Sequence, residues 1–219
     1  MLSRHRPLAL FSALLGWFGL ALQLWFSVRM SLDKGGTTLE GVWLFLGFYT
    51  ILTNLLVAVV LTVVGMDARG RFGAFFARPG VQTAAAMSIV IVSAVYNLML
   101  RQLWSPTGWL LIADMIVHDI MPVLYLVYWW LAVPKGTLRW SQVLAWQSYP
   151  AGYFFYVLVR GAVSGWYPYP FLDVTALGYV QVLIDAIAVL VAFVIVALLL
   201  VTIGRWQARR QGRAVVDAA

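Results

Sequence analysis

Two acids and a histidine interrupt an otherwise apolar stretch of the chain. The segment "WLLIADMIVHDIMPVLYLVYWW" carries Asp114, His118 and Asp119 within six positions. Asp114 and His118 are four residues apart, so on a helix they share one face. A histidine beside a carboxylate can take up and return a proton. An ionisable residue in a membrane segment is a functional hypothesis by default, and we expect this cluster to carry the chemistry of the protein.

The composition predicts an integral membrane protein. Of 219 residues, 63% are hydrophobic and 11% are charged, which is more apolar surface than a soluble domain of this length can bury. Six segments are long enough to cross a bilayer at about 20 residues each. They are 7–30, 41–65, 81–101, 109–132, 142–162 and 177–203. Short links leave no room for a second domain, so we expect one all-α, six-helix transmembrane domain over residues 1–219.

Lysine and arginine are distributed unevenly between the predicted loops. Eleven lie at the termini and in the second and fourth loops, and four lie on the other side. The larger group is Arg4, Arg6, Arg69, Arg71, Arg78, Lys135, Arg139, Arg205, Arg209, Arg210 and Arg213; the smaller is Arg29, Lys34, Arg101 and Arg160. The positive-inside rule therefore predicts cytoplasmic termini in the plasma or inner membrane. The net charge of +7 is scattered among loops, which argues against a nucleic-acid partner.

Polar residues in the predicted helices fall in one layer near the outer leaflet. Counting a rise of 1.5 Å per residue places Thr50 and His118 at the same depth, roughly 14 Å from the outer helix ends. Thr50, Thr53 and Asn54 follow i, i+3, i+4 spacing, so they form one stripe. The same layer contains Gln23, Asn97, Arg101, Arg160 and Asp185. Because ionisable groups are costly in lipid, we expect these stripes to converge on an interior cavity that opens outward.

Three chemistries can be considered for such a layer: metal binding, proton-coupled transport and hydrolysis. A zinc site would need several His or Cys ligands, and the cluster offers one histidine and no cysteine, so no metal or cofactor is expected. A proton-coupled transporter or channel could use the buried Asp and His residues as a relay. The third is hydrolysis, in which His118 activates a threonine hydroxyl.

Hydrolysis assigns a role to most of the layer. Thr50 would be the nucleophile and His118 the base, with Thr53 as the alternative hydroxyl. Asp114, Asp119 or Asp185 would orient the imidazole. The remaining residues are candidates for binding the oxyanion or the substrate: Asn54, Asn97, Gln23, Arg101 and Arg160. Of these, Asn54 or Asn97 would stabilise the oxyanion, and Arg101 or Arg160 would pair with a fatty carboxylate.

Three sequence pieces resemble a known membrane protein family. "FYTILTNLL" (48–56) looks like a Phe-x-Thr segment on a second helix, and "HDIMPVLYL" (118–126) is similar to a His-then-Pro segment on a fourth. "GWYPYPFLD" (165–173) looks like a Gly-x-x-x-Tyr-Pro-Phe-Leu-acid loop. The family is that of the androgen-induced and androgen-dependent integral membrane proteins, with their six-helix bacterial relatives.

The resemblance implies a substrate class and a catalytic pair. Animal members are threonine hydrolases that cleave fatty acid esters of hydroxy fatty acids. By matching position, Thr50 would be the nucleophile and His118 the base. Here the gap from His118 to Pro122 is one residue shorter than in animal members. Thr53 remains the alternative if the register differs. A lipid or fatty acyl ester is therefore the expected partner.

Overall fold

The computed structural model describes residues 5–216, with side chains to residue 210. Across this range the chain forms helices and no strand, which confirms the all-α prediction. The chain divides into two compact units, the first ending at Val133 and the second beginning at Pro134. The single domain stays a prediction.

Residues 5–133 of the first unit form seven α-helices. They are α1 (Arg6–Asp33), α2 (Thr38–Phe45), α3 (Tyr49–Gly65), α4 (Gly70–Phe76), α5 (Pro79–Val95), α6 (Gly108–Met115) and α7 (Met121–Ala132). A π-helical turn at Tyr96–Leu100 and a 3₁₀ turn at Arg101–Leu103 follow α5. A second π-helical turn at Ile116–Ile120 joins α6 to α7. Two predicted spans, 81–101 and 109–132, are thus helices that each include a π-helical turn.

The second predicted span, 41–65, is not one continuous helix. It begins as α2, breaks between Phe45 and Tyr49, and continues as α3 after a bend of 79°. Phe48 has extended backbone angles (φ −89°, ψ 132°), which an α-helix cannot continue through. The break is buried in an apolar cluster of Leu20, Phe45, Ile51 and Ala58. Because of the bend, counting residues from the start of α2 does not give the depth of Thr50.

Helix α1 packs closely on the turn that carries His118. A Cβ atom added at Gly19 would lie 2.5 Å from Cγ2 of Ile116, the first residue of that turn. One added at Gly16 would lie 3.0 Å from Cε of Met121. Small residues allow membrane helices to approach in this way. Glycine on α1 therefore sets how near this helix comes to the histidine segment.

The second unit contains three helices and one tight loop. The helices are α8 (Gln142–Trp146), α9 (Ser148–Ser164) and α10 (Val174–Val216), and α10 is interrupted at Gly178 (φ 75°, ψ 161°). The loop between α9 and α10 holds the "GWYPYPFLD" piece and includes a 3₁₀ turn at Pro170–Leu172. Asp173 ends this loop, and its Oδ1 accepts bonds from the backbone N–H groups of Thr175 (2.9 Å) and Ala176 (3.2 Å). The acid therefore caps the start of α10.

Several helices are long and apolar enough to cross a bilayer, so the chain is membrane-embedded. In the described range there are four, at Arg6–Asp33, Pro79–Leu103, Gly108–Ala132 and Val174–Arg210. A fifth is added if α2 and α3 together form one broken span. The predicted span 142–162 is divided between α8 and α9. With 17 residues, α9 is about 26 Å long, somewhat less than the hydrocarbon core.

The direction in which the chain crosses the membrane stays a prediction. Part of the charge count that supports it falls outside what the structure describes. Arg4 lies outside the described residues, and of Arg213 only the backbone is described.

Candidate active site

His118 and Asp114 form a close pair at the junction of α6 and the following π-helical turn. Nδ1 of His118 lies 3.2 Å from the carboxylate Oδ1 of Asp114 and 3.1 Å from its backbone carbonyl oxygen. Both neighbours can only accept, so Nδ1 carries the ring proton. In the neutral ring, Nε2 is then the basic nitrogen. Asp114, one of the three acids that the sequence offers as an orienting group, contacts the imidazole.

Two aromatic side chains that the sequence reasoning did not select complete this pair. The Tyr96 hydroxyl donates to Oδ2 of Asp114, and its ring stacks on His118 with centroids 3.7 Å apart and planes 11° from parallel. Trp104 Nε1 donates to Oδ1 of Asp114 at 3.3 Å. Asp114 is therefore surrounded by donors on both carboxylate oxygens.

Asp119 belongs to a separate ion pair on the neighbouring side of the turn. Nη2 of Arg101 lies 2.6 Å from Oδ1 and 2.5 Å from Oδ2 of this carboxylate. Asn97 Nδ2 donates to the same Oδ1 at 3.0 Å and to the carbonyl of Ser93 at 3.0 Å. Arg101 thus already holds a carboxylate of the protein. For Asn97 to stabilise an oxyanion, or for Arg101 to take a fatty carboxylate, these bonds would first have to exchange.

Asn54 ties α3 to the histidine turn. Its Nδ2 donates to the carbonyl of Thr50 at 2.9 Å and to the carbonyl of Val117 at 3.0 Å. Val117 directly precedes His118, so a single buried amide joins the helix of the threonine to the segment of the imidazole. Both amide hydrogens are used in these bonds. An oxyanion role for Asn54 would require one of them to be released.

The candidate hydroxyls lie on the same helix, near its start. Thr50 is the second residue of α3, directly after the bend, and Thr53 lies one turn further along. Both are buried. The positive end of the α3 dipole lies at Thr50, where it favours negative charge. Gln23, on α1, is half-buried.

Two of the predicted site residues belong to the second unit. Arg160 on α9 is buried; its Nη1 donates to the Tyr156 hydroxyl at 2.8 Å, and its guanidinium carbon lies 5.1 Å from the Trp166 ring centroid. Asp185 on α10 accepts from Gln181 Nε2 at 2.9 Å. Their roles beside His118 stay predictions.

Metal ligation can be considered from the donor groups alone. In residues 5–216, no three His, Cys, Asp or Glu side chains lie close enough together to hold an ion. Instead, Asp114 accepts hydrogen bonds from two aromatic side chains, and Asp119 is bonded by a guanidinium and an amide.

No protein-family model matches the chain, and no curated protein or solved structure matches it.

Proposed function

We propose that the protein is a membrane hydrolase that cleaves lipid esters with a threonine nucleophile and His118 as general base. The observation that carries the proposal is the His118 and Asp114 pair, in which Nδ1 faces two acceptors and Nε2 is left as the base. In support of it, the buried amide of Asn54 on α3 bonds the carbonyl of Val117, the residue directly before His118. An imidazole held by a carboxylate near a buried hydroxyl is the arrangement that acyl transfer needs.

The reaction would proceed in two half-steps. Nε2 of His118 takes the proton of the Thr50 hydroxyl while the oxygen attacks the ester carbonyl. The tetrahedral intermediate then collapses, the bond to the alcohol oxygen breaks, and the imidazolium returns its proton to the leaving alcohol. A water deprotonated by His118 attacks the acyl-threonine, which releases the acid and restores the hydroxyl. Asp114 stabilises the imidazolium in both half-steps.

The substrate class follows from the membrane setting and from the family resemblance. Four helices of the described range are apolar enough to lie in lipid, so an ester with an acyl chain can reach the site from the bilayer. The resemblance favours fatty acid esters of hydroxy fatty acids. We further propose six spans with cytoplasmic termini and a site open toward the outer leaflet of the plasma or inner membrane.

The experiment is ester hydrolysis by the purified full chain in detergent. A fluorogenic acyl ester and a branched fatty acyl ester would be compared in the parent protein, Thr50→Ala, Thr53→Ala and His118→Ala. His5→Ala is a matched control, because it removes the only other histidine. Thr202→Ala is the matched control for the threonines, because Thr202 is exposed and its hydroxyl donates to the Leu198 carbonyl of its own helix.

The result assigns the nucleophile directly. Loss of hydrolysis in His118→Ala and in one of Thr50→Ala or Thr53→Ala, with helix content retained, supports the proposal and identifies the threonine. Hydrolysis retained by His118→Ala, or by both threonine variants, removes the proposed pair. A fluorophosphonate probe that labels the parent protein and not the active-site threonine variant gives an independent readout.

A proton-coupled transporter is the second candidate. The observation that favours it is the series of ionisable side chains in the first unit, Asp114 with His118 and Asp119 with Arg101. Such series carry protons in membrane pumps and transporters. Proton flux in liposomes that disappears in Asp114→Asn, with no ester hydrolysis in the parent protein, would favour transport.

A further inference from the structure

Tyr96 contacts both members of the Asp114 and His118 pair. Its ring lies parallel to the imidazole at 3.7 Å, and its hydroxyl donates to Asp114 Oδ2. The side chain is 5% exposed, so these contacts are made away from water. One rigid aromatic residue thereby restrains two groups that must keep a fixed relation for proton transfer.

The two contacts restrain different rotations. Stacking at an angle of 11° between the ring planes limits rotation of the imidazole about its bond to Cβ. The hydroxyl fixes Oδ2 of Asp114, while Trp104 donates to Oδ1, so the carboxylate cannot turn freely. With the carboxylate fixed, Oδ1 remains 3.2 Å from Nδ1 of His118. The ring proton then stays on Nδ1.

The backbone is built to place these two rings against each other. Tyr96 begins one π-helical turn and His118 lies in the middle of another. A π-helical turn adds a residue to a helix and changes the direction in which later side chains point. Such turns are rare and are often found at functional sites. Here both rings of the stack lie in such turns, which is an independent observation pointing to the same pair.

The charged groups around the stack are few in the described part of the first unit. Asp114 accepts from the tyrosine hydroxyl, and the guanidinium carbon of Arg101 lies 5.1 Å from the Tyr96 ring centroid. Arg101 is in turn paired with Asp119. The imidazole of His118 thus contacts the carboxylate of Asp114, whereas the carboxylate of Asp119 is paired with Arg101.

We propose that Tyr96 is a positioning residue that fixes the ring plane and the Nδ1–H tautomer of His118, directly by stacking and indirectly through Asp114. The use of Nε2 as a base rests on the proposed function. The tautomer of His118 does not depend on that function. Tyr96 is not the group that reacts. It keeps Nε2 unprotonated and aimed in one direction.

The test uses the histidine ¹⁵N signals of the full chain in detergent micelles. In a His5→Ala background His118 is the only histidine, so its two ring nitrogens can be assigned without overlap. Spectra are recorded in alkaline buffer, where histidine is neutral and the tautomers are distinct. Tyr96→Phe keeps the ring and removes the hydroxyl, Tyr96→Leu removes both, and Tyr179→Phe on α10 is the control.

We expect a graded response. In the parent background and in Tyr179→Phe, His118 is mainly the Nδ1–H tautomer. Tyr96→Phe gives a mixture that includes the Nε2–H tautomer. Tyr96→Leu gives mainly the signals of the Nε2–H tautomer or signals averaged between the two tautomers. Ester hydrolysis should follow the same order through kcat, with KM little changed. We expect kcat to fall about tenfold in Tyr96→Phe, as for the loss of one hydrogen bond to a charged group, and about 10²-fold in Tyr96→Leu. An unchanged tautomer in folded Tyr96→Phe and Tyr96→Leu would overturn the inference.

The two proposals fail in different ways. If the tautomer responds to Tyr96 but the parent protein hydrolyses no ester, the positioning role stands and the proposed function falls. If hydrolysis requires His118 and a threonine but neither the tautomer nor kcat responds to Tyr96, the positioning role falls alone. Should Tyr96→Leu fail to fold, Tyr96→Phe still decides between these outcomes.

Discussion

Nδ1 of His118 lies 3.2 Å from Oδ1 of Asp114, one helical turn before it in the sequence. The Nδ1 atom also lies 3.1 Å from the Asp114 backbone carbonyl oxygen. Two acceptors at one ring nitrogen leave the other nitrogen as the only basic position of the neutral imidazole. The geometry of the pair therefore favours one tautomer of the neutral ring, with the proton on Nδ1.

Replacing the Asp114 carboxylate by an amide should impair catalysis with little change in shape. In Asp114→Asn the amide can present N–H to Nδ1, which favours the tautomer with the proton on Nε2 and removes the base. We expect kcat to fall by about 10²- to 10⁴-fold, as for an orienting acid in a catalytic triad. Steady-state ester hydrolysis measures the change. Asp119→Asn and Asp185→Asn are the matched controls, and a larger loss in either would assign the orienting role elsewhere.

The buried amide of Asn54 should stabilise the fold as well as hold α3 against the turn of His118. Asn54→Leu conserves the approximate volume and removes the donors to Thr50 and Val117 carbonyls. We expect the free energy of unfolding to fall by about 1–3 kcal/mol, because buried acceptors lose their partner. Intrinsic tryptophan fluorescence during unfolding in mixed micelles reports it. Gln23→Leu, at a half-buried position on α1, is the comparison, and an equal effect of both variants would contradict a special role for Asn54.

The fold class followed from composition and from the length of the apolar segments, but the positions of the helix breaks did not. Apolar length predicts membrane helices well, since lipid requires every backbone group to be bonded within the helix. The bend between Phe45 and Tyr49 contains Gly47 and no proline, and apolar side chains of α1 and α3 bury it. That burial depends on packing between residues far apart in the sequence, since Leu20 of α1 and Ile51 of α3 belong to one apolar cluster. Local sequence does not contain this information.

The acids and the histidine of the site were predictable by residue type, but their partners were not. Asp114 and His118 at i, i+4 indicate a shared face, and they do contact. The i, i+4 stripe through Asn97 and Arg101 excludes Tyr96, because an adjacent residue points about 100° away on an α-helix. The π-helical turn at Tyr96 changes that register. The sequence signal that could have identified Tyr96 is its position directly before the polar stripe of Asn97 and Arg101.

The approach of α1 to the histidine turn should tolerate no side chain at Gly19. In Gly19→Ala the new Cβ would lie 2.5 Å from Cγ2 of Ile116, so the turn must shift or the helices must separate. We expect a loss of about 1–3 kcal/mol of stability from overpacking, together with lower esterase activity. Thermal unfolding and hydrolysis are measured on the same sample.

Two further variants separate crowding from a general effect of alanine. Gly19→Ala with Ile116→Ala should lose less stability than the two single variants lose in sum, because Ile116→Ala removes the methyl groups with which the new Cβ clashes. Gly152→Ala on α9, where nothing lies within 4 Å of the added carbon, should be stabilising by about 0.5–1 kcal/mol. Equal destabilisation at both glycines would show that the close approach to Ile116 is not the cause.

Lys135, outside the membrane-spanning segments, should make stability depend on alkaline pH. Burial lowers the pKa of Lys135 to about 8 from an ordinary value of 10.5. Between these two values the unfolded chain binds the proton more fully than the folded chain, so the free energy of unfolding rises as pH increases from about 8 to 10.5. Below that window both states are protonated and the folded state bears the full desolvation penalty.

Removing the ammonium group should abolish this dependence. We expect Lys135→Met to be more stable than the parent protein at neutral pH, with the difference shrinking as pH rises through the window. Tryptophan fluorescence melts across the alkaline range measure both proteins in the same detergent. Lys34→Met is the matched control, because Lys34 is exposed and is the only other lysine of the chain. A parent protein and a Lys135→Met variant with parallel pH profiles would show that the folded state keeps Lys135 as well solvated as the unfolded chain does.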